Sequence, residues 1–276
     1  MLPRRLLLPI APLLSLPSSA ASFSSSSSSS SLSTSRPPVA LVVGVGDGIG
    51  ASLCRKYLQE SYQVVAVRRS EGGLDELSEE LSSDAFHPLS LDARKEEDVD
   101  AAFNHALSLG PLSAVVHNIG ANIKFPISET TPRKFQKVWE LAAFSAYLTG
   151  RAAAAHLAPS PPPHSPRSLI YTGATASLRG GSGFAAFAAA KAGVRSLAQS
   201  LARELGPSGV HVAHVVVDGA VDTRWVRENF GAAVEKAPEG ALVDPGAVAD
   251  AMWFLHNQPR CAWTHEMDLR PYCEKW

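Results

Sequence analysis

Cysteine is scarce in this chain. Cys54, Cys261 and Cys273 are the only three, and none stands in a CxxC or Cys/His spacing. An odd count without such spacing argues against a disulfide framework and a zinc site, and suits a reducing compartment. Charge is also sparse: 18% of residues are charged and the formal net charge is −1, which removes any general attraction to nucleic acid or to anionic membrane surfaces. Acidic residues are missing altogether from the first 38 positions, where Arg4, Arg5 and Arg36 stand beside eight consecutive serines from Ser24 to Ser31. Such a stretch cannot build a packed core and reads as a cleaved organelle transit peptide, mitochondrial in the first instance and plastid as the alternative. A secretory signal and an uncleaved tail are the other readings of residues 1–38. The apolar run in "RRLLLPIAPLLSL" is too short to span a bilayer.

What is present after Pro38 is regular. The hydrophobic fraction of 45% supports a sizeable core. Short apolar runs ("VALVVG", "YQVVAV", "AFHPLSL", "LSAVVHNIG", "RSLIYTG", "GVHVAHVVV" and a short "EMDLRP") alternate with stretches of helical spacing. The longest helical stretch is "TPRKFQKVWELAAFSAYLTGRAAAAHL", which the Pro-rich "APSPPPHSP" ends. Strand–helix alternation implies right-handed βαβ units, and strands that are continuous apolar runs imply a parallel sheet covered on both faces. The expected fold is therefore α/β: one doubly wound domain over residues 39–276, with about seven parallel strands.

The first strand ends in "VVGVGDGIG", which places Gly44, Gly46, Gly48 and Gly50 at a strand-to-helix turn. Glycine is required where backbone curls tightly and approaches a pyrophosphate lying on a helix N-terminus. The spacing is GxxxGIG (Gly44, Gly48, Ile49, Gly50). On this motif the chain resembles the short-chain dehydrogenase/reductase family, whose domain is a Rossmann fold. The resemblance implies that Gly44, Gly46, Asp47, Gly48, Ile49 and Gly50 line a nicotinamide cofactor. Arg68 and Arg69 end the second strand, and two guanidiniums there favour a 2′-phosphate, hence NADP(H) over NAD. Asp47 argues the other way, since NADP-dependent relatives often carry a base at that place. The family pattern further implies Asp92 at the adenine, Asn118 and Gly120 of "HNIG" bracing the sheet's edge near the ribose, and Gly219 and Thr223 of "VVVDGAVDT" at the nicotinamide carboxamide. Asp218 stands where relatives have proline. His117 reads as structural.

The family's proton donor is a tyrosine four residues before a lysine, supported by a serine and an asparagine. "FAAFAAAK" keeps Lys191 but has Phe187 at the tyrosine position; Ala174 stands at the serine position and Ala142 at the asparagine position. The wider spacing of enoyl-reducing relatives meets Phe184 instead. The three apolar side chains are expected to form one wall. Thr175 is the candidate substitute hydroxyl, while Tyr147 and Tyr171 are expected to point elsewhere. The expected activity is hydride transfer to or from a small carbonyl, alcohol or conjugated acyl substrate at an atypical site; the alternative is a catalytically silent cofactor binder acting as a sensor or scaffold. Trp225 and Phe230 lie in the segment where the family places its substrate lid. Trp263 and Trp276 are expected at a subunit interface. By resemblance the chain forms a homodimer or homotetramer, with no metal, nucleic-acid or membrane partner.

Overall fold

The structure is a computed structural model describing residues 36–158 and 165–275. The leader expected at 1–38 lies almost wholly outside the described residues, as do most of the Pro-rich connection and Trp276. Seven strands are observed: β1 (Val39–Val43), β2 (Gln63–Arg68), β3 (Phe86–Ser90), β4 (Leu112–His117), β5 (Ser168–Thr172), β6 (His211–Val217) and β7 (Glu266–Leu269). They form one sheet in the order β3-β2-β1-β4-β5-β6-β7, with every pairing parallel. The order reverses between β1 and β4, and in a doubly wound sheet that crevice, beyond the carboxyl ends of the strands, is where ligands bind.

Alternation along β1 shows why both faces are covered. Val39, Leu41 and Val43 enter one core cluster, while Ala40 and Val42 enter the other. Successive side chains of a strand point to opposite faces, so a strand apolar at every position needs helices on both sides. The first cluster is closed by α3 (Glu96–Leu109), α5 (Ser145–Leu157) and α6 (Ala185–Leu205); the second is closed by α1 (Ile49–Gln59), α2 (Gly72–Leu81) and α8 (Pro245–His256).

The edges depart from the expected continuous burial. Inward and outward residues alternate along β3, which has only β2 beside it, and Pro88 sits within it, as an edge strand tolerates. β7, at the other edge, has no fully buried residue. The long helix is interrupted as well: α4 (Pro132–Trp139) continues into a π-helical turn, Glu140–Phe144, before α5 begins. The lid segment contains a helix, α7 (Arg224–Lys236), broken at Phe230 (φ −129°, ψ 20°). The half-buried Trp263 stacks its ring on His211 at 4.9 Å, and its Nε1 donates to the Gln258 carbonyl (3.2 Å).

Candidate active site

A cavity of about 650 Å³ opens at the carboxyl ends of the central strands. Its walls include Gly44, Gly46, Asp47, Gly48, Ile49, Gly50, Asn118, Gly120, Thr175, Lys191, Gly219 and Thr223. Twelve residues singled out in the sequence thus converge on one space. Arg68, Arg69 and Asp92 line an adjoining cavity of about 320 Å³ that shares Gly44, Gly46, Asn118 and Gly120 with the first.

Local sterics explain the glycine turn. Gly44 has φ +96°, and a Cβ there would meet the Asn118 carbonyl at 2.8 Å. A Cβ on Gly48 would meet Thr223 Cγ2 at 2.6 Å. Gly46 and Gly120 differ: a Cβ on either meets nothing within 4 Å, because both open onto the cavity. The turn is therefore packed tightly behind and bare in front, at the start of α1, and this fits a pyrophosphate on a helix N-terminus. Asp47 does not face the same way in function. Its Oδ2 accepts the backbone N–H of Arg224 (3.1 Å), tying the turn to the first residue of α7.

Asn118 knits the site together. Its Nδ2 donates to the Gly44 carbonyl (3.0 Å), its Oδ1 accepts from Thr172 Oγ1 (2.8 Å), and its backbone N–H donates to the Val43 carbonyl (2.7 Å). The edge braced by the "HNIG" segment is thus the carboxyl edge of three interior strands. Lys191, on α6, is only 3% exposed. Its Nζ donates to the carbonyls of Thr172 (2.8 Å) and Ile119 (3.0 Å), and burial pushes its pKa down to about 8. An ammonium has three N–H groups, so one remains for a ligand in the cavity.

Phe187 lies one helical turn before Lys191 and is buried in a cluster with Ala142, Ala143, Ala176, Ala186 and Ala190; Ala174 and Phe184 pack against it. Phe187, Ala174 and Ala142 therefore share one apolar wall. Thr175 opens a 3-10 turn, Thr175–Ser177, and lines the cavity, but its hydroxyl donates to Asp218. Tyr171 points to the other face, where its hydroxyl donates to the Ala146 carbonyl (3.2 Å). Tyr147 is exposed and stacks on Phe144. His117 is structural: Ser145 gives its proton to the Leu141 carbonyl, so Ser145 Oγ accepts from His117 Nε2 (3.3 Å), leaving Nδ1 to accept from Thr149 Oγ1 (3.1 Å). Burial lowers the His117 pKa to about 3.

The arginine partners of Asp92 and Asp218 were not foreseen in the sequence. Arg94 grips Asp92 with Nε on Oδ1 (2.9 Å) and Nη2 on Oδ2 (2.5 Å), and this pairing holds the Asp92 carboxyl below the usual carboxylate range. Arg94 lines the same cavity as Arg68 and Arg69, so three arginines and one aspartate line it. Asp218, 3% exposed, is paired with Arg270 (3.2 Å), is 3.8 Å from Arg179, and accepts from Thr175. It bolts the segment after β7 to the floor of the site. The replaced proline beside Gly219 was its one visible signal.

Comparison with known proteins agrees with this geometry. A family model described as short chain dehydrogenase matches residues 38–232. The crystal structure of a short-chain dehydrogenase from Rhodopseudomonas palustris is 42% identical, covers 85% of this chain and 99% of its own, and superposes with a TM-score of 0.70. A 3-ketoacyl-(acyl-carrier-protein) reductase from Brucella melitensis, complexed with NADH, is 27% identical, covers 85% of this chain and 97% of its own, and has a TM-score of 0.72. The uncharacterized oxidoreductase YuxG of Bacillus subtilis is 28% identical over 66% of this chain, which spans only 27% of that protein. With the family model matching most of the chain and a 42% identical solved relative sharing its fold, the chain belongs to the short-chain dehydrogenase family.

Proposed function

We propose that this protein is an NADP(H)-dependent oxidoreductase that transfers a hydride to or from a small carbonyl, alcohol or conjugated acyl substrate, at a site without the family's proton donor. The observation that carries the reading is the contrast within one cavity: a buried Lys191 ammonium with one N–H to spare stands a helical turn from a wall of Phe187 and Ala174, backed by Ala142. Gly44 to Gly50 would hold the pyrophosphate, and Lys191 and Asn118 the nicotinamide ribose. Thr223 and Gly219 would hold the carboxamide. Arg68 and Arg69, with Arg94 balancing Asp92, supply the positive surplus that suits a 2′-phosphate by charge-assisted hydrogen bonds. When bound, the cofactor supplies or accepts the hydride.

None of Phe187, Ala174 and Ala142 carries a transferable proton, and the hydroxyl proton of Thr175 is committed to Asp218. A positioned general acid is worth about 10²–10⁴-fold, so ordinary ketone reduction is slow here. A conjugated acyl compound suits the site better, because its carbon can take a proton from water after hydride addition. The same apolar wall favours a second reading, a catalytically silent cofactor binder that acts as a sensor or scaffold.

One experiment decides between them. NADPH binding to the purified protein is followed by fluorescence, then NADPH oxidation is measured over carbonyls and enoyl thioesters, with Phe187→Tyr plus Ala174→Ser in parallel. Enoyl turnover by the wild type supports the enzyme. Tight binding without turnover, unchanged in the double variant, leaves the silent binder. Failure to bind either nicotinamide cofactor defeats both.

We further propose a leader at residues 1–38 addressing the protein to the mitochondrion, with the plastid as the alternative, and a homodimer or homotetramer. Exposed Phe135, Trp139 and Tyr147 along α4 and α5 support self-association. The near-zero net charge supports the absence of a nucleic-acid or membrane partner. Among the described residues no helix is long and apolar enough to cross a membrane.

A further inference from the structure

Beside the main cavity lies another of about 620 Å³, and the two share Asn122, Gly219, Val221 and Thr223. We propose that the substrate carries an extended apolar chain, that this second cavity receives the chain, and that its reacting head lies against the Phe187 wall. The proposal rests on the oxidoreductase reading above and names its substrate class.

Three observations carry it. First, no residue lining the second cavity is ionisable, so a charged or strongly polar substituent seated there would lose hydration without compensation. Second, α7 has no buried residue among its thirteen. A helix on a globular domain normally buries an apolar stripe, yet Trp225, Val226, Phe230 and Val234 all line this cavity. Trp225 and Phe230 remain 59% and 54% exposed and meet only edge to face, with centroids 5.7 Å apart. Third, α7 is fixed at its first turn: Thr223 accepts the Val226 N–H (3.2 Å), Asp47 accepts the Arg224 N–H, and Arg224 pairs with Glu76 (3.2 Å). The apolar remainder is held over the space without filling it. Because the shared residues include Gly219 and Thr223, the loop read as the nicotinamide end of the site, the occupant is continuous with the reacting group. That favours a substrate tail over a protein segment.

The test is calorimetric binding of straight-chain 1-alkanols, butanol to decanol, to the full chain saturated with NADPH, a pairing of reduced cofactor and reduced substrate that cannot turn over. Each fully buried methylene contributes about 0.8 kcal/mol, about fourfold in Kd. At least a twofold tightening per methylene is expected from butanol to octanol. Ala233→Trp, which fills the cavity from an exposed helix position, and Val234→Asp, which puts a carboxylate into it, are expected to flatten that series while NADPH affinity and circular dichroism stay unchanged. A flat wild-type series overturns the proposal, as does a series equally steep in both variants. A flat series together with a wild-type dimer that either variant dissociates assigns the face to a second copy and also overturns it. If NADPH does not bind, the cofactor reading fails; the alkanol series in cofactor-free protein then judges the apolar cavity separately.

Discussion

Mild acid should destabilise this fold through three buried imidazoles. His117, His214 and His256 are each at most 1% exposed, and burial lowers their pKa values to about 3, 4 and 4. Their partners explain why the neutral form is held. His117 accepts at Nδ1 from Thr149. His214 donates from Nδ1 to Glu266 (3.0 Å), while its Nε2 is buried with no partner among the described residues. His256 lies between the hydroxyls of Tyr62 (2.9 Å) and Ser168 (2.7 Å). In the unfolded chain each titrates near 6.5. Between that value and about 4 the unfolded state binds protons that the native state refuses, so stability rises with pH across this window. It is fully present above the unfolded value and is lost as pH falls toward the folded ones. Going from pH 7 to 5.5 removes about 1.2 kcal/mol per imidazole, about 4 kcal/mol for three, against a typical total of about 5–15 kcal/mol.

The loss is insensitive to the folded values so long as they stay well below 5.5. His87 and His211 shift in the same direction and only enlarge it. The carboxyls held low by arginine partners, such as Glu266, lose their contribution only at more acid pH. Urea unfolding followed by circular dichroism at the two pH values measures the effect, with an unchanged slope and a midpoint lowered by more than about 1 M. A loss below about 1 kcal/mol, the share of a single imidazole, would refute the reasoning.

Three further outcomes are expected. Gly48→Ala forces its new methyl onto Thr223 Cγ2, an overpacking worth about 1–3 kcal/mol. Thermal melts and NADPH titration should both show the defect, and adding Thr223→Ser, which removes that methyl but keeps the hydroxyl that caps α7, should relieve it. Arg68→Ala with Arg69→Ala should lower the NADPH-over-NADH affinity ratio at least about tenfold, since each charge-assisted bond is worth about 1.5–3 kcal/mol; an unchanged ratio removes both guanidiniums from the 2′-phosphate site. Burial pushes the Cys54 thiol up to about 12, whereas Cys261 and Cys273 are exposed. Ellman's reagent should therefore find two thiols in the native protein and three only after unfolding, and a third rapid native thiol would contradict the packing of α1.

Local chemistry was readable from the sequence; partners distant along the chain were not. β1, β4 and β6 announced themselves because an interior parallel strand is buried on both faces and so mostly apolar, and the glycine turn did so because its spacing has a steric cause. β3 misled because an edge strand needs burial on one side only. The π turn at Glu140–Phe144 follows no composition rule, since Ala142 and Ala143 suit an α-helix equally well. Asp47 shows the limit most clearly. As an isolated acid beside a phosphate turn it counted against NADP(H), yet its carboxylate serves the N–H of Arg224, 177 positions later. Asp218 likewise looked like a lost proline until Arg270 arrived from beyond β7.

The apolar wall and the buried lysine have to be explained together. If the site did nothing, an aliphatic side chain at position 191 would join the Phe187 cluster without the desolvation that lowers the Lys191 pKa to about 8. The cation is instead held by two main-chain carbonyls, with one N–H left for the cavity. A buried charge is tolerable when its hydrogen-bonding capacity is met, and on the proposed reading a cofactor hydroxyl would take the remaining N–H. Lys191 needs no phenol for that task. On the proposed reading the site separates two duties joined in the family pattern: cofactor binding stays with Lys191 and the glycine turn, while Phe187, Ala174 and Ala142 offer no proton. On that reading, such a site would gain most from a substrate that asks little of an acid and offers much apolar surface to the Phe187 wall and the space beneath α7.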